Sequence, residues 1–320
     1  MTARLRVAVT LTAFSFLTVA CATDRQAAQR YADRAARYAA GGHYAAAAIE
    51  YRNAIRYQPA WASAHRQLAD VYAAQGRSEE AYREYCRAAE LSPADVRSRI
   101  EAGRLLFAAG QFERALERAD DALSHDPGDI DARILRGRTL VKVGRFDEAV
   151  EQLDTALNAD RRRPATYAAL GEATWAIGDR EGAERAFRQG TAAAPQSVEA
   201  RVALAQFLSA TARPLESERE LVDALAIQPA NELANRALAS LFLSTGRRER
   251  AESCLRTAAK ESNQKLGSTL ALADYYRAAN RFDDAREVLE RVTGGPLARG
   301  AQTRLAALER ERPPHVPRGR

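Results

Sequence analysis

The sequence predicts an all-α solenoid built from a repeated helix-turn-helix unit, and three periodic features carry the prediction. Pro59, Pro93 and Pro127 stand 34 residues apart, and Pro195 and Pro229 fall on the same grid, with Arg161 and Asn263 at the steps between and beyond. Small residues recur on the same period at two further positions. A glycine recurs between them, at Gly42, Gly76, Gly110, Gly144, Gly178 and Gly246.

Frames of 34 residues laid from Ala28 give eight repeats without insertion: 28–61, 62–95, 96–129, 130–163, 164–197, 198–231, 232–265 and 266–299. The first small position holds Ala35, Ala69, Gly103, Gly137, Gly171, Ala205, Ala239 and Ala273. A close approach between two helices requires it, because a larger side chain would force them apart. The second holds Ala47, Ala81, Ala115, Ala149, Ala183, Ser217, Ala251 and Ala285. Four residues later come Tyr51, Tyr85, Leu153, Phe187, Leu221, Leu255 and Leu289, with Ala119 as the exception. That spacing sets the small and large residues on one face of a second helix, as core. The glycine marks the turn between the helices, where a positive φ costs it little. Acids such as Asp147 and Glu148 after Gly144 suit the N-terminus of the second helix.

The pattern resembles the tetratricopeptide repeat family, most fully in Tyr167-x-x-Leu170-Gly171 with Ala183, Phe187 and Pro195. The resemblance spans Ala28 to about Arg299 and implies a right-handed α-solenoid superhelix. The frame departs from the family at Arg99, Arg133, Arg201 and Asn235, where the first large position is polar, and at Thr174. Residues 300–312, with Leu305 and Leu308 on one face, are expected to form a helix that caps the stack. Pro313, Pro314 and Pro317 end regular structure in a tail over 313–320.

Ahead of the repeats, residues 1–20 read as an export signal, with Arg4 and Arg6 before the apolar stretch Val7 to Val19. That stretch is short for a bilayer span, which takes about 20 apolar residues. Leu17-Thr18-Val19-Ala20-Cys21 resembles a bacterial lipobox, with Thr18 where the pattern has Leu. It implies lipidation of Cys21, a linker over 21–27 and a lipoprotein of the bacterial envelope facing the periplasm. Ala22 after the cysteine, in place of an inner-membrane-retaining Asp, favours the outer membrane. Ordinary cleavage near Ala20 is the alternative, and a cytoplasmic protein with a misread start is another. Cys86 and Cys254 lie five repeats apart, beyond the reach of a disulfide in a stack whose repeats touch only neighbours, and read as small buried apolar residues.

With a net charge of +6, the chain has Arg alternating with Glu and Asp along the helices, which describes solvated faces and not a nucleic-acid-binding surface. Arg161-Arg162-Arg163 is the one dense run and falls at a turn between repeats. The sequence holds no phosphate loop, no H-E-x-x-H, no G-x-S-x-G and no paired cysteines, so neither a cofactor nor a metal is expected and a non-enzymatic protein is. His43, His65, His125 and His315 are scattered and read as surface residues.

In the family, the resemblance implies, the first helices line a concave groove into which the second, fifth, ninth and twelfth residues of each repeat project. In this chain those positions include Arg66, Asp70, Ile100, Arg104, Phe107, Ile134, Arg138, Val141, Glu172 and Trp175. An apolar groove carrying Arg104 and Arg138 suits a protein or peptide partner with apolar side chains and an acidic group. Phe107 and Trp175 could instead pack between helices, or stack on sugar faces in a glycan-binding or enzymatic subunit. The leader, the lipobox-like cysteine and the unbroken repeats together imply an envelope scaffold, with exopolysaccharide export ahead of pilus assembly. The oligomeric state is not legible. Replacing Cys21 with Ser is expected to release the folded protein from membranes, since acyl anchoring draws on about 0.8 kcal/mol per buried methylene; fractionation of cells expressing the variant checks this.

Overall fold

The structure, a computed structural model, describes residues 24–261, 266–292 and 296–311. The leader, Cys21, His315 and the tail fall outside them. The described residues are helical, joined by turns, without a strand. The chain divides into two compact units, the first ending at Leu105 and the second starting at Leu106.

The first unit contains α1 (residues 24–40), α2 (Tyr44–Tyr57), α3 (Ala62–Ala74), α4 (Ser78–Leu91) and most of α5 (Val96–Ala108). The second contains α6 (Phe112–His125), α7 (Ile130–Lys142), α8 (Phe146–Ala159), α9 (Pro164–Ile177), α10 (Arg180–Ala193), α11 (Val198–Ala210) and α12 (Pro214–Ile227). It continues through α13 (Glu232–Ser244), α14 (Arg248–Glu261), α15 (Leu266–Ala278), α16 (Phe282–Glu290) and α17 (Pro296–Glu311). From α3 to α15 every first helix begins on the first residue of its frame. The ends of the array depart from the frame. α1 is already helical at residue 24, the first described residue, four positions ahead of the frame, and nothing from there to Gly41 breaks a helix. At the other end α16 stops at Glu290, and α17 starts at Pro296 instead of residue 300, because proline at a helix's first position gives up an N–H that had no partner there.

Within each unit, contacts run between neighbours in sequence. In the second unit first helices also touch one another across repeats, α7 to α9, α9 to α11 and α11 to α13, and α15 touches α17, whereas among the described residues no pair of second helices makes a comparable contact. The first-helix side is therefore the tighter side of that stack. The small positions explain the pairing. Ala47, Ala81, Ala115, Ala149, Ala183, Ala251 and Ala285 have no exposed surface. A Cβ built on Gly137 of α7 would lie 2.6 Å from Cγ of Leu153 on α8, and one on Gly171 would lie 2.7 Å from the Phe187 ring. Ser217 fits the second small position by donating its hydroxyl to the Ala205 carbonyl, 2.8 Å away. A third small position, not singled out in the sequence, holds Ala54, Ala88, Ala122, Ala156, Gly190, Ala224 and Ala258, all buried. A Cβ at Gly190 would meet Tyr167 Cβ at 2.9 Å.

The turns are closed by one hydrogen-bonding pattern. In the fourth repeat Arg145 N donates to Leu140 O at 2.9 Å and Gly144 N to Val141 O, with Gly144 at φ 81°. This is the helix-ending motif in which a left-handed residue lets two amides turn back onto the last carbonyls. The same register is left-handed at Ala212 (φ 61°) and Asn280 (φ 58°), the two turns that lack glycine. Residues after the turn tie the stack further. Arg213, Arg247 and Arg281 reach the preceding repeat's Glu184, Glu218 and Glu252 at 2.8, 2.6 and 2.7 Å. Hydrogen bonds from Arg213 and Arg188 hold the Glu184 carboxyl below its ordinary pKa. The Arg247 and Arg281 guanidinium groups also cover the Phe242 and Tyr276 rings at 4.6 and 4.4 Å.

The four polar residues that break the family pattern at the first large position share one role with His65, which holds the same frame position. His65, Arg99, Arg133, Arg201 and Asn235 each point a ring, guanidinium or amide nitrogen at the carbonyl six residues earlier, those of Pro59, Pro93, Pro127, Pro195 and Pro229, at 3.0, 3.1, 2.6, 3.3 and 3.0 Å. Tyr167 donates to Arg161 O in the same way at 3.1 Å. Thr174 returns its hydroxyl to Leu170 O at 2.8 Å. His65 is therefore not the surface residue its type suggests; it is 7% exposed, because this bond draws it inward. Cys86 and Cys254 are free thiols, half-buried at the margins of their cores.

Two outcomes follow for stability. Gly137→Leu should lower it by about 3 kcal/mol, since the new side chain must displace Leu153 from a filled core; an unchanged melting temperature would remove the close contact from the account. Ala212→Gly should raise stability by roughly 0.5 kcal/mol, the relief of a left-handed alanine exceeding glycine's greater entropy in the unfolded chain. Thermal unfolding of both variants measures these changes.

Candidate functional site

The ten positions read as groove residues divide between the two units. In the first, Arg66 donates to Asp95 at 3.3 Å. The same carboxylate caps α5 by accepting from Ser98 N at 3.2 Å and Ser98 Oγ at 2.8 Å. Asp70 accepts the Tyr85 hydroxyl at 2.6 Å, and burial together with that bond pushes the Tyr85 phenol well above its ordinary pKa. Arg104 pairs with Glu101, one turn away on α5, at 2.9 Å. Ile100 is 4% exposed and belongs to the packing instead of an open face.

In the second unit Ile134 is buried likewise, while Arg138, Glu172 and Trp175 reach solvent. Arg138 on α7 and Glu172 on α9 hold the same position in successive repeats and pair across them, Nε to Oε2 at 3.1 Å. The Arg138 guanidinium also lies 5.5 Å from the centre of the Phe107 ring, which in turn meets Phe112 edge-on at 5.4 Å. Val141 is half-buried beside the core formed with Leu140 and Leu153. One turn beyond Glu172, Trp175 is 39% exposed and packs edge-on against Phe207 of α11, 4.9 Å between ring centres. Phe207 is itself backed by Phe187 at 5.2 Å. One edge of the indole is thus fixed by the core while the rest meets water.

Phe107, Arg138, Glu172 and Trp175 therefore form a connected strip on the first-helix side of the second unit. Its chemistry is mixed: two aromatic rings, one cation and one anion that offset each other. The ion pair is nearly half exposed at both ends, and such pairs contribute about 0 to 1 kcal/mol. A ligand carboxylate can replace Glu172 on Arg138 at little cost, and a ligand cation can replace Arg138 on Glu172. Trp175 offers a rigid apolar anchor with few torsions to freeze on binding.

Sequence position alone did not find Ile177, which is 48% exposed at the end of α9 two residues past Trp175, since it lies outside the family's groove positions. Leu215 and Val222, seven residues apart on α12, are 72% and 51% exposed on a second helix; their spacing was the only available signal. Among the described residues no group of three or more His, Cys, Asp and Glu is arranged to hold a metal ion, and no helix is long and apolar enough to cross a membrane.

Two family models, both described as tetratricopeptide repeat, match residues 33–96 and 236–299 in one case and 106–173 in the other, together more than half of the chain. No curated protein matches the sequence. Among solved structures, a tetratricopeptide repeat protein from Parabacteroides merdae is similar at a TM-score of 0.59 and 16% identity, over 77% of this chain and 98% of that one. PilW, a type IV pilus biogenesis factor, is similar at 0.54 and 18% identity, over 67% of this chain and 99% of its own. Yeast Tom70 is similar at 0.62 and 16% identity, over 84% of this chain and 59% of its own. At these identities the likeness is one of fold.

Proposed function

The chain belongs to the tetratricopeptide repeat family, and from that premise we propose that it is a non-catalytic scaffold that holds a protein or peptide partner on its first-helix surface. The observation that carries the proposal is the strip Phe107, Arg138, Glu172 and Trp175, where exposed aromatic surface stands beside an ion pair open to exchange. A partner segment that fits presents an apolar or aromatic side chain to Trp175 and a carboxylate to Arg138, because a guanidinium binds a carboxylate through two parallel hydrogen bonds.

We place this scaffold in the bacterial envelope, anchored through a lipid on Cys21 and acting in the assembly or export step of an envelope machine. The leader over residues 1–20 and the lipobox-like sequence before Cys21 support that placement. Between the two routes, exopolysaccharide export is favoured over pilus assembly on repeat number alone, and the likeness to PilW bears on fold and not on route.

The test is co-purification from detergent-solubilised envelopes, followed by affinity measurement on the recovered partner. Arg138→Glu should weaken that affinity at least tenfold, corresponding to about 1.4 kcal/mol, while leaving the melting temperature within a few degrees. Unchanged affinity would take the partner off this surface. A large fall in melting temperature would instead assign Arg138 to internal pairing with Glu172.

A further inference from the structure

We propose that His65 is a proton-dependent latch in the first unit: as an imidazolium it ties the connection between α2 and α3 to α4, and it drops one of its two ties when the proton leaves. The geometry carries the inference. Nδ1 lies 2.6 Å from Glu84 Oε2 on α4, and Nε2 lies 3.0 Å from the carbonyl oxygen of Pro59 in the connection. Both partners are acceptors. Only the doubly protonated ring donates to both, since a neutral imidazole has one N–H and must turn a lone pair toward the other oxygen.

The residues in the same register show what a permanent charge does there. Arg201 donates to Pro195 O at 3.3 Å and to Glu220 at 2.9 Å. Arg133 donates to Pro127 O at 2.6 Å and to Gln152 at 3.0 Å. Glu84, Gln152 and Glu220 each lie 19 residues after their donor, so the second tie always runs to the same place on the second helix. Of these three bridges, the one at residue 65 alone is made by a side chain that titrates near neutral pH. Asn235, with a neutral amide, reaches only carbonyls, those of Pro229 and Asn231.

The charged groups that face the ring are Glu84 and Arg87, both on α4. Burial opposes the charged ring and Arg87 adds to that opposition. The bonds to Glu84 and Pro59 and the Glu84 charge outweigh them, so the His65 pKa stands above its ordinary value. A pKa raised by folding means that the protonated ring stabilises the native state. Its contribution is complete below the unfolded-state value and disappears as pH rises through the folded-state value. The latch thus holds in acid and loosens as pH rises above the ring's ordinary value.

The experiment is amide hydrogen exchange of the full chain, followed by mass spectrometry of peptides covering residues 58–66 and corrected for intrinsic exchange, from about pH 6 to 8.5. NMR titration of the His65 ring runs alongside. Wild-type protection should fall as pH rises, by about tenfold for each unit by which folding raises the pKa. His65→Arg should keep protection constant across the range. His65→Asn should give low protection at every pH. Equal losses in wild type and His65→Arg would overturn the proposal. A ring titrating at or below its ordinary value would overturn it without any variant.

Discussion

Everything in this architecture depends on the approach of each first helix to its second helix at a position where a methyl group is the largest side chain that fits. Where Gly137 faces Leu153 and Gly171 faces Phe187, even a Cβ would intrude. Helices that close leave no slack in the segment joining them, so the turn must reverse the chain within a few residues. That requirement selects a left-handed residue and the paired amide bonds that end the helix. The period of 34 follows from two helices and two short turns, and strict repetition of the close contact prevents it from drifting.

The fold was legible because these constraints act on residue size and backbone angle, and both leave marks in a sequence. The glycine grid, the small residues and the prolines placed the start of every first helix from α3 to α15. Where the marks failed, the physics was met by other residues. Ala212 and Asn280 take the left-handed turn without glycine, so these two turns carry no visible signal. At the start of the first helices, Arg99, Arg133 and Arg201 resemble flaws in an aromatic position until their bonds to the proline carbonyls are seen. The boundary of α17 depends on where α16 ends, and past Glu290 no repeated residue marks it.

The candidate surface was only partly legible. A position in a repeat gives the direction in which a Cα–Cβ bond points, but the side chain's fate depends on what the neighbouring helix brings to it. Ile100 and Ile134 share a register with exposed residues elsewhere and are nonetheless buried. Asp70 and Arg66 are occupied by Tyr85 and Asp95, partners that lie 15 and 29 residues away. The alternation of Arg with Glu, expected as solvated surface, proved to include a regular series of bonds from Arg213, Arg247 and Arg281 to the repeat before. Charge pattern along one helix cannot show this, because the partner stands on another.

The donors at the start of the first helices also explain how the stack keeps its register with so little aromatic packing there. A large ring at that position would fix the inter-repeat connection by filling space, whereas an arginine, histidine or asparagine fixes it through one directed bond to a carbonyl that the preceding proline has already oriented. Space-filling tolerates a slide of the two surfaces; a bond near 3 Å does not. Donors that differ in charge state can share this position because the acceptor is a backbone carbonyl, present whatever the side chains. What differs between them is the second contact, to Glu84, Gln152 or Glu220, and with it the response of each repeat to pH and salt. A repeat protein can therefore vary the sensitivity of one segment without altering the geometry that every segment shares.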